Sequence, residues 1–143
     1  SLEVRHQAGG KMQAIVEQQY KEKQIKATVT AFIDDMVAAY RWADVVICRA
    51  GAMTVSELMA VGVPAILVPY PYAIDDHQTA NAQYLVEAGA ALMIPQSILN
   101  ERIVAEKMQI LLENKEEMSK AAKQLAQLDA TQKVVSFCQK VAL

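Results

Sequence analysis

The run Cys48-Arg49-Ala50-Gly51-Ala52-Met53-Thr54-Val55-Ser56-Glu57 places small residues and one carboxylate between an apolar segment and an amphipathic one. A strand, a glycine turn and a helix start in that order make an anion site. The backbone N–H groups of the first helical turn lack intrahelical partners and share their direction with the positive end of the helix dipole. Phosphate is the first ligand to consider. Glu57, about one helical turn further on, either complements the dipole or accepts hydrogen bonds from ribose hydroxyls. Arg49, at the strand end, either pairs with an acidic neighbour or braces the loop, or else touches phosphate. A second group, Asp75-Asp76-His77-Gln78 and on to Asn81, concentrates hydrogen-bonding side chains; His77 either simply starts a helix or meets a sugar. A third, Phe32-Ile33-Asp34-Asp35-Met36, combines an apolar pair with backbone polar groups. A nucleotide sugar needs such a set: apolar side chains for the base, a carboxylate for ribose, helix N–H groups for diphosphate, and amides or imidazole for sugar hydroxyls. The residues permit that ligand without requiring it.

The elements that position these groups follow from periodicity. Residues 43–48 are short, apolar and β-branched, as in a strand buried on both faces of a parallel sheet. Val55, Leu58, Met59 and Val61 recur at helical spacing until Gly62 and Pro64 stop the helix. Upstream, residues 2–7 alternate as a strand and residues 11–23 form a helix with Met12, Ile15, Val16 and Tyr20 on one face. Residues 25–32 are a second strand, and Asp34 is the expected N-cap of a helix over 36–42. Downstream, residues 64–69 and 90–95 are strands flanking a helix over 77–88 that Gly89 ends. Asn100 caps a helix whose apolar face is Ile103, Val104, Met108 and Leu111, and residues 115–143 form two more helices parted near Asp129-Ala130. Strands alternating with helices imply an α/β fold, a parallel sheet with helices on both faces. Right-handed crossovers then put the three loops along one sheet edge, where ligands of such folds bind.

Composition bounds the rest. The chain has 143 residues, enough for one domain with a real core, and no repeat or linker marks an internal boundary. Its hydrophobic fraction is 53% and its net charge −2, so no nucleic-acid partner is expected. No apolar run approaches the roughly 18 residues needed to span a bilayer, and a soluble domain is expected. The two cysteines, Cys48 and Cys138, lack metal-ligand spacing and are read as reduced core thiols of a cytosolic protein. His6 is read as structural, Asp34 and Asp35 as caps, Asp44 as a solvated strand-edge group, and Trp42, Tyr70 and Tyr72 as packing. The methionines at 12, 36, 59, 93 and 108 are read as core filler, with Met53 in the loop itself.

The pattern of Phe32-Ile33-Asp34-Asp35-Met36, then residues 43–57, then Gly62-Val63-Pro64-Ala65, then Asp75-Asp76-His77-Gln78-Thr79-Ala80-Asn81-Ala82 resembles the MurG family. These are the UDP-N-acetylglucosamine (UDP-GlcNAc) transferases that convert lipid I to lipid II in peptidoglycan synthesis. The likeness covers nearly the whole chain and points to the C-terminal, donor-binding domain, a Rossmann-like half of a two-domain GT-B-type enzyme. The resemblance implies that Ile33 meets uracil through its backbone, that Glu57 holds the ribose hydroxyls, and that Ala52, Met53 and Thr54 line the diphosphate. His77, Gln78 and Asn81 are implied to face the donor sugar. It further implies inversion at the anomeric carbon with no metal and no cofactor. The expected partners are UDP-GlcNAc and a lipid I acceptor.

The family's N-terminal acceptor domain, thought to supply the catalytic base, and the Gly-Gly-Ser-type loop that opens its donor domain have no counterpart here. The expectation is therefore a partial domain over 1–143, truncated on its N-terminal side, with no catalytic residue of its own. It should lack transferase activity alone and have at most weak donor affinity. Self-association through an exposed sheet edge is expected. The intact enzyme is expected to be cytoplasmic and peripheral on the inner membrane. Two alternatives remain open: the donor domain of another UDP-sugar glycosyltransferase, and a non-catalytic or engineered α/β fragment.

Overall fold

Alternating exposure along Glu3, Val4, Arg5, His6 and Gln7 makes β1 (Glu3–Gln7) a strand with one face turned inward. In this computed structural model, which describes residues 2–141, β1 pairs in parallel with β2 (Lys26–Thr30), Glu3 opposite Lys26 and Gln7 opposite Thr30. The crossover helix α1 (Gln13–Glu22) starts two residues after the expected Lys11, because residues 10–12 first turn on the carbonyl of Gly9. Its expected apolar face is only partly used: Met12 and Ile15 remain exposed, so Met12 is not core filler. Gln13 takes an inward place instead, its Nε2 donating to the Val29 carbonyl at 3.1 Å. His6 is structural, with Nδ1 3.0 Å from the Tyr20 hydroxyl. Before α2 (Met36–Trp42) the cap is not Asp34 but Asp35, whose carboxylate accepts the Ala38 N–H at 2.8 Å. The residue directly ahead of the first turn is the one whose side chain reaches back to it. Trp42 packs under the Arg5 guanidinium, 4.1 Å from the ring centre. These elements form one compact unit, Ser1–Trp42.

The second unit, Ala43–Leu143, holds, among the described residues, three parallel strands in the order β3-β4-β5: β3 (Val46–Cys48), β4 (Ala65–Leu67) and β5 (Ala91–Met93). Cys48 faces Leu67 and Leu67 faces Met93 in the register. All three residues of β4 are 0% exposed, the double-faced burial expected of a central strand. The same expectation fails for β3, where Ile47 is 49% exposed, because β3 is the edge of its sheet. The strands alternate with α3 (Ala52–Val61) and α4 (His77–Glu87), followed by α5 (Glu101–Glu113), α6 (Lys115–Leu125) and α7 (Ala130–Val141). The α/β class read from the alternation is the one observed.

One core cluster of this unit joins Ile66, Ile94, Leu111 and Met118, with Ile103, Val104 and Met108 of α5 against it. Truncating such a buried leucine costs about 2–5 kcal/mol. Asn100 caps α5 as expected, its Oδ1 accepting the Ile103 N–H at 3.0 Å. α3 ends at Gly62 with φ +76°, and a β-carbon there would run into the Lys123 stem of α6. Glycine is thus needed both for its conformation and for the close approach. Asp44 carries an ion pair with Lys115. Burial pushes the Cys48 thiol up to about 12, consistent with a reduced, unreactive group. Cys138 departs from its reading as a core thiol: it is exposed on α7, where Val134, Val135 and Phe137 are exposed too. The expected end of the last helix at Leu143 lies outside the described residues. Among those residues no helix is long and apolar enough to cross a membrane.

Candidate functional site

β3 delivers the chain to a three-residue loop, 49–51, and α3 begins at Ala52. The first α-helical bond runs from the Val55 N–H to the Gly51 carbonyl, 2.9 Å. The N–H groups of Ala52, Met53 and Thr54 therefore precede the ladder, the arrangement that makes a helix start attractive to anions. Gly51 is the N-cap with φ −64° and ψ 147° and brings no side chain to occupy those donors. Its backbone suits any L-residue, so what the glycine contributes is an uncovered helix end. Met53 projects into solvent, 79% exposed. Glu57 lies within the same helix beyond the first turn, half-buried.

The loop ahead of α3 is tied down by its neighbours. Ala50 is 0% exposed, yet both of its backbone polar groups are satisfied by α4 side chains. Gln78 Oε1 accepts the Ala50 N–H at 3.3 Å and the Tyr70 N–H at 3.0 Å, and Asn81 Nδ2 donates to the Ala50 carbonyl at 3.0 Å. Arg49 resolves in favour of bracing: its Nη1 donates to the carbonyls of Val68 and Pro69, each 3.2 Å away, and its guanidinium lies 5.4 Å from the Tyr70 ring. Tyr70 and Tyr72 meet edge-on at 5.7 Å but are exposed to solvent, so neither packs into the core.

The segment before α4 differs in kind. Residues Ile74–Asp76 form a 3-10 turn in which Asp75 and Asp76 both have positive φ, +52° and +50°. Non-glycine residues pay for that conformation with strain of order 1 kcal/mol or more each, Asp less than most. His77 is exposed, with Nδ1 2.6 Å from the Ile74 carbonyl, and the Thr79 hydroxyl donates to Asp76 Oδ1 at 2.7 Å. His77 is thus engaged in its own turn.

Of the eight residues singled out from sequence, seven lie in the second unit: Ala52, Met53, Thr54 and Glu57 on α3, and His77, Gln78 and Asn81 on α4. Ile33 belongs to the first unit, where its N–H donates to Gln7 Oε1 at 2.9 Å. A base edge approaching that N–H has to compete with Gln7. The sequence reading missed the parts played by Ala50 and Gln7. For Ala50 the available signal was the three-residue spacing of Gln78 and Asn81, which puts two amides on one helix face.

Residues 1–135 match the model of the glycosyltransferase family 28 C-terminal domain. The chain is 54% identical over 143 residues to the UDP-N-acetylglucosamine–N-acetylmuramyl-(pentapeptide) pyrophosphoryl-undecaprenol N-acetylglucosamine transferase of Shewanella frigidimarina, covering 96% of this chain and 39% of that protein. The protein of the same name from Methylococcus capsulatus is 54% identical over 138 residues, covering 94% of this chain and 39% of its own length. The chain thus spans about two fifths of the curated relatives it matches. Among solved structures, Acinetobacter baumannii MurG superposes with a TM-score of 0.91 at 40% identity, over 97% of this chain and 43% of that one. The spinosyn forosaminyltransferase SpnP, at 16% identity and a TM-score of 0.55, shares the fold. With residues 1–135 of its 143 matched by that family model, the chain belongs to the glycosyltransferase family 28 C-terminal domains.

Proposed function

We propose that this chain is the UDP-GlcNAc-binding part of an inverting N-acetylglucosaminyltransferase that converts lipid I to lipid II. The observation that carries the reading is the α3 N-terminus, three N–H groups ahead of the first helical bond behind a cap with no side chain. The names of the relatives, which print UDP-N-acetylglucosamine and a pyrophosphoryl-undecaprenol, supply the donor and the kind of acceptor. In this reading the Ala52, Met53 and Thr54 N–H groups take the diphosphate. Glu57 accepts the ribose hydroxyls, the Ile33 backbone meets uracil, and His77, Gln78 and Asn81 face the sugar.

As the acceptor hydroxyl attacks the anomeric carbon, the bond to the diphosphate breaks and negative charge grows on the UDP leaving group. Helix N–H groups already aimed at that charge stabilise the transition state without reorganising. Acceptor binding and the general base are assigned to parts of the enzyme beyond these 143 residues, so transfer is proposed for the whole protein and not for this chain alone. Peripheral attachment to the cytoplasmic face of the membrane and self-association through a free strand edge belong to the same proposal.

A competition titration of this chain tests the reading. UDP-GlcNAc should displace a labelled uridine nucleotide more effectively than UDP-glucose or UDP-galactose. Equal competition would point to a different UDP-sugar transferase, and no uridine nucleotide binding at millimolar concentration would remove the donor-binding role.

A further inference from the structure

We propose that Gln78 and Asn81 are positioning residues: they clamp the backbone of Ala50 from α4 and so aim the first turn of α3 at the diphosphate. The diphosphate half of this statement rests on the donor-binding reading above; the clamp itself does not. Ala50 stands two residues ahead of α3 and is fully buried, where a backbone N–H or C=O without a partner is costly. Neither group is met by a strand. Instead Gln78 Oε1 takes the N–H and Asn81 Nδ2 takes the carbonyl, from positions three apart on one helix face.

The same Gln78 oxygen accepts the Tyr70 N–H, so a single side chain stitches the loop after β3 to the loop after β4. Arg49 adds a parallel stitch through Val68 and Pro69. Two N–H donors converging on one amide oxygen also determine which end of that amide faces the loops. What Gln78 keeps for a ligand is its NH2, a donor alone. A sugar contact through Gln78 is therefore restricted to acceptor oxygens, and the oxygen end of the amide belongs to the protein.

A direct sugar contact and a clamp make different predictions when the sugar is removed from the ligand. In this chain, Asn81→Leu should weaken UDP and UDP-GlcNAc by the same factor, about tenfold for the loss of one buried hydrogen bond that positions the donors. Weakened UDP-GlcNAc with unchanged UDP would overturn the proposal and make Asn81 a sugar-reading residue only. Hydrogen exchange of the ligand-free chain supplies the second readout. The Ala50 amide should exchange about tenfold faster in Gln78→Leu and remain protected in Gln78→Glu, which retains the acceptor, while the Leu67 amide in β4 stays protected in both. Unchanged Ala50 exchange in Gln78→Leu would overturn the clamp. If the unaltered chain binds neither nucleotide, the donor-binding reading fails, and exchange at Ala50 still decides whether the clamp exists.

Discussion

Two helices of the same unit follow adjacent strands, α3 after β3 by the short loop 49–51 and α4 after β4 by the longer segment 68–76, and their N-termini are built differently. At α3 the cap is Gly51 in relaxed extended backbone, no acid lies in the first turn, and the chain ahead is pinned by side chains from elsewhere. At α4 two consecutive aspartates sit in the left-handed region, Asp76 binds Thr79, and His77 folds back on Ile74. The second helix start already carries its own negative charge; the first does not. Neither start has a side-chain hydrogen bond to its first-turn N–H groups, so the difference lies in charge: two aspartates stand directly ahead of α4 and none ahead of α3, which favours an anion at α3 over α4.

The comparison breaks most easily by making α3 resemble α4. Gly51→Asp fits the backbone, because a β-carbon there finds only Thr54 Oγ1, at 3.9 Å. Its carboxylate should take the first-turn N–H groups and lower UDP affinity on the order of 100-fold by competition and like-charge repulsion. Thermal stability should hold or rise by a few tenths of a kcal/mol. Undiminished UDP binding by a folded Gly51→Asp chain would show that the diphosphate does not use this helix end. Glu57→Ala should have the next largest effect, about tenfold weaker UDP binding through lost charge-assisted hydrogen bonds to ribose. Calorimetry giving the parent affinity for that variant would take Glu57 out of the site.

Asp75→Gly should act on the other helix start only. Relief of the left-handed strain should raise stability by up to about 1 kcal/mol, visible as a higher Tm, with UDP affinity unaltered. A fall in Tm would mean that the Asp75 side chain stabilises the turn more than its backbone strains it. The smallest effect concerns Cys48, at the end of the strand leading to α3. Its folded-state thiol is pushed up to about 12 from an ordinary value near 9. Keeping this thiol neutral adds stability below about pH 9 that is lost as pH rises toward 12. At neutral pH a thiol reagent should label Cys138 and spare Cys48; rapid labelling of Cys48 would contradict its burial.

The parts of this architecture that local chemistry controls were readable in advance. Gly51 and Gly62 bracket α3, Asn100 caps α5, and the apolar face of Ile103, Val104, Met108 and Leu111 is the one that packs. Errors arose where two equivalent residues compete or where the partner is remote in sequence. Asp34 and Asp35 have the same side chain, and only the path of the chain decides which carboxylate meets Ala38. The contacts of Gln78 and Asn81 with Ala50 span 28 and 31 residues, so their spacing places two amides on one helix face but does not show that the partner is a loop. The exposure of Ile47 and Cys138 depends on tertiary neighbours, and hydrophobic character alone does not report it. The left-handed backbone of Asp75 and Asp76 carries no sequence mark stronger than the residue type.

The most direct test follows amide resonances of this chain by NMR during a UDP titration. The largest concentration-dependent shifts are expected at Ala52, Met53 and Thr54, with the amides of Thr79 and Ala80 in the first turn of α4 moving little. Shifts centred on the α4 turn, or none at the start of α3 at millimolar UDP, would contradict this.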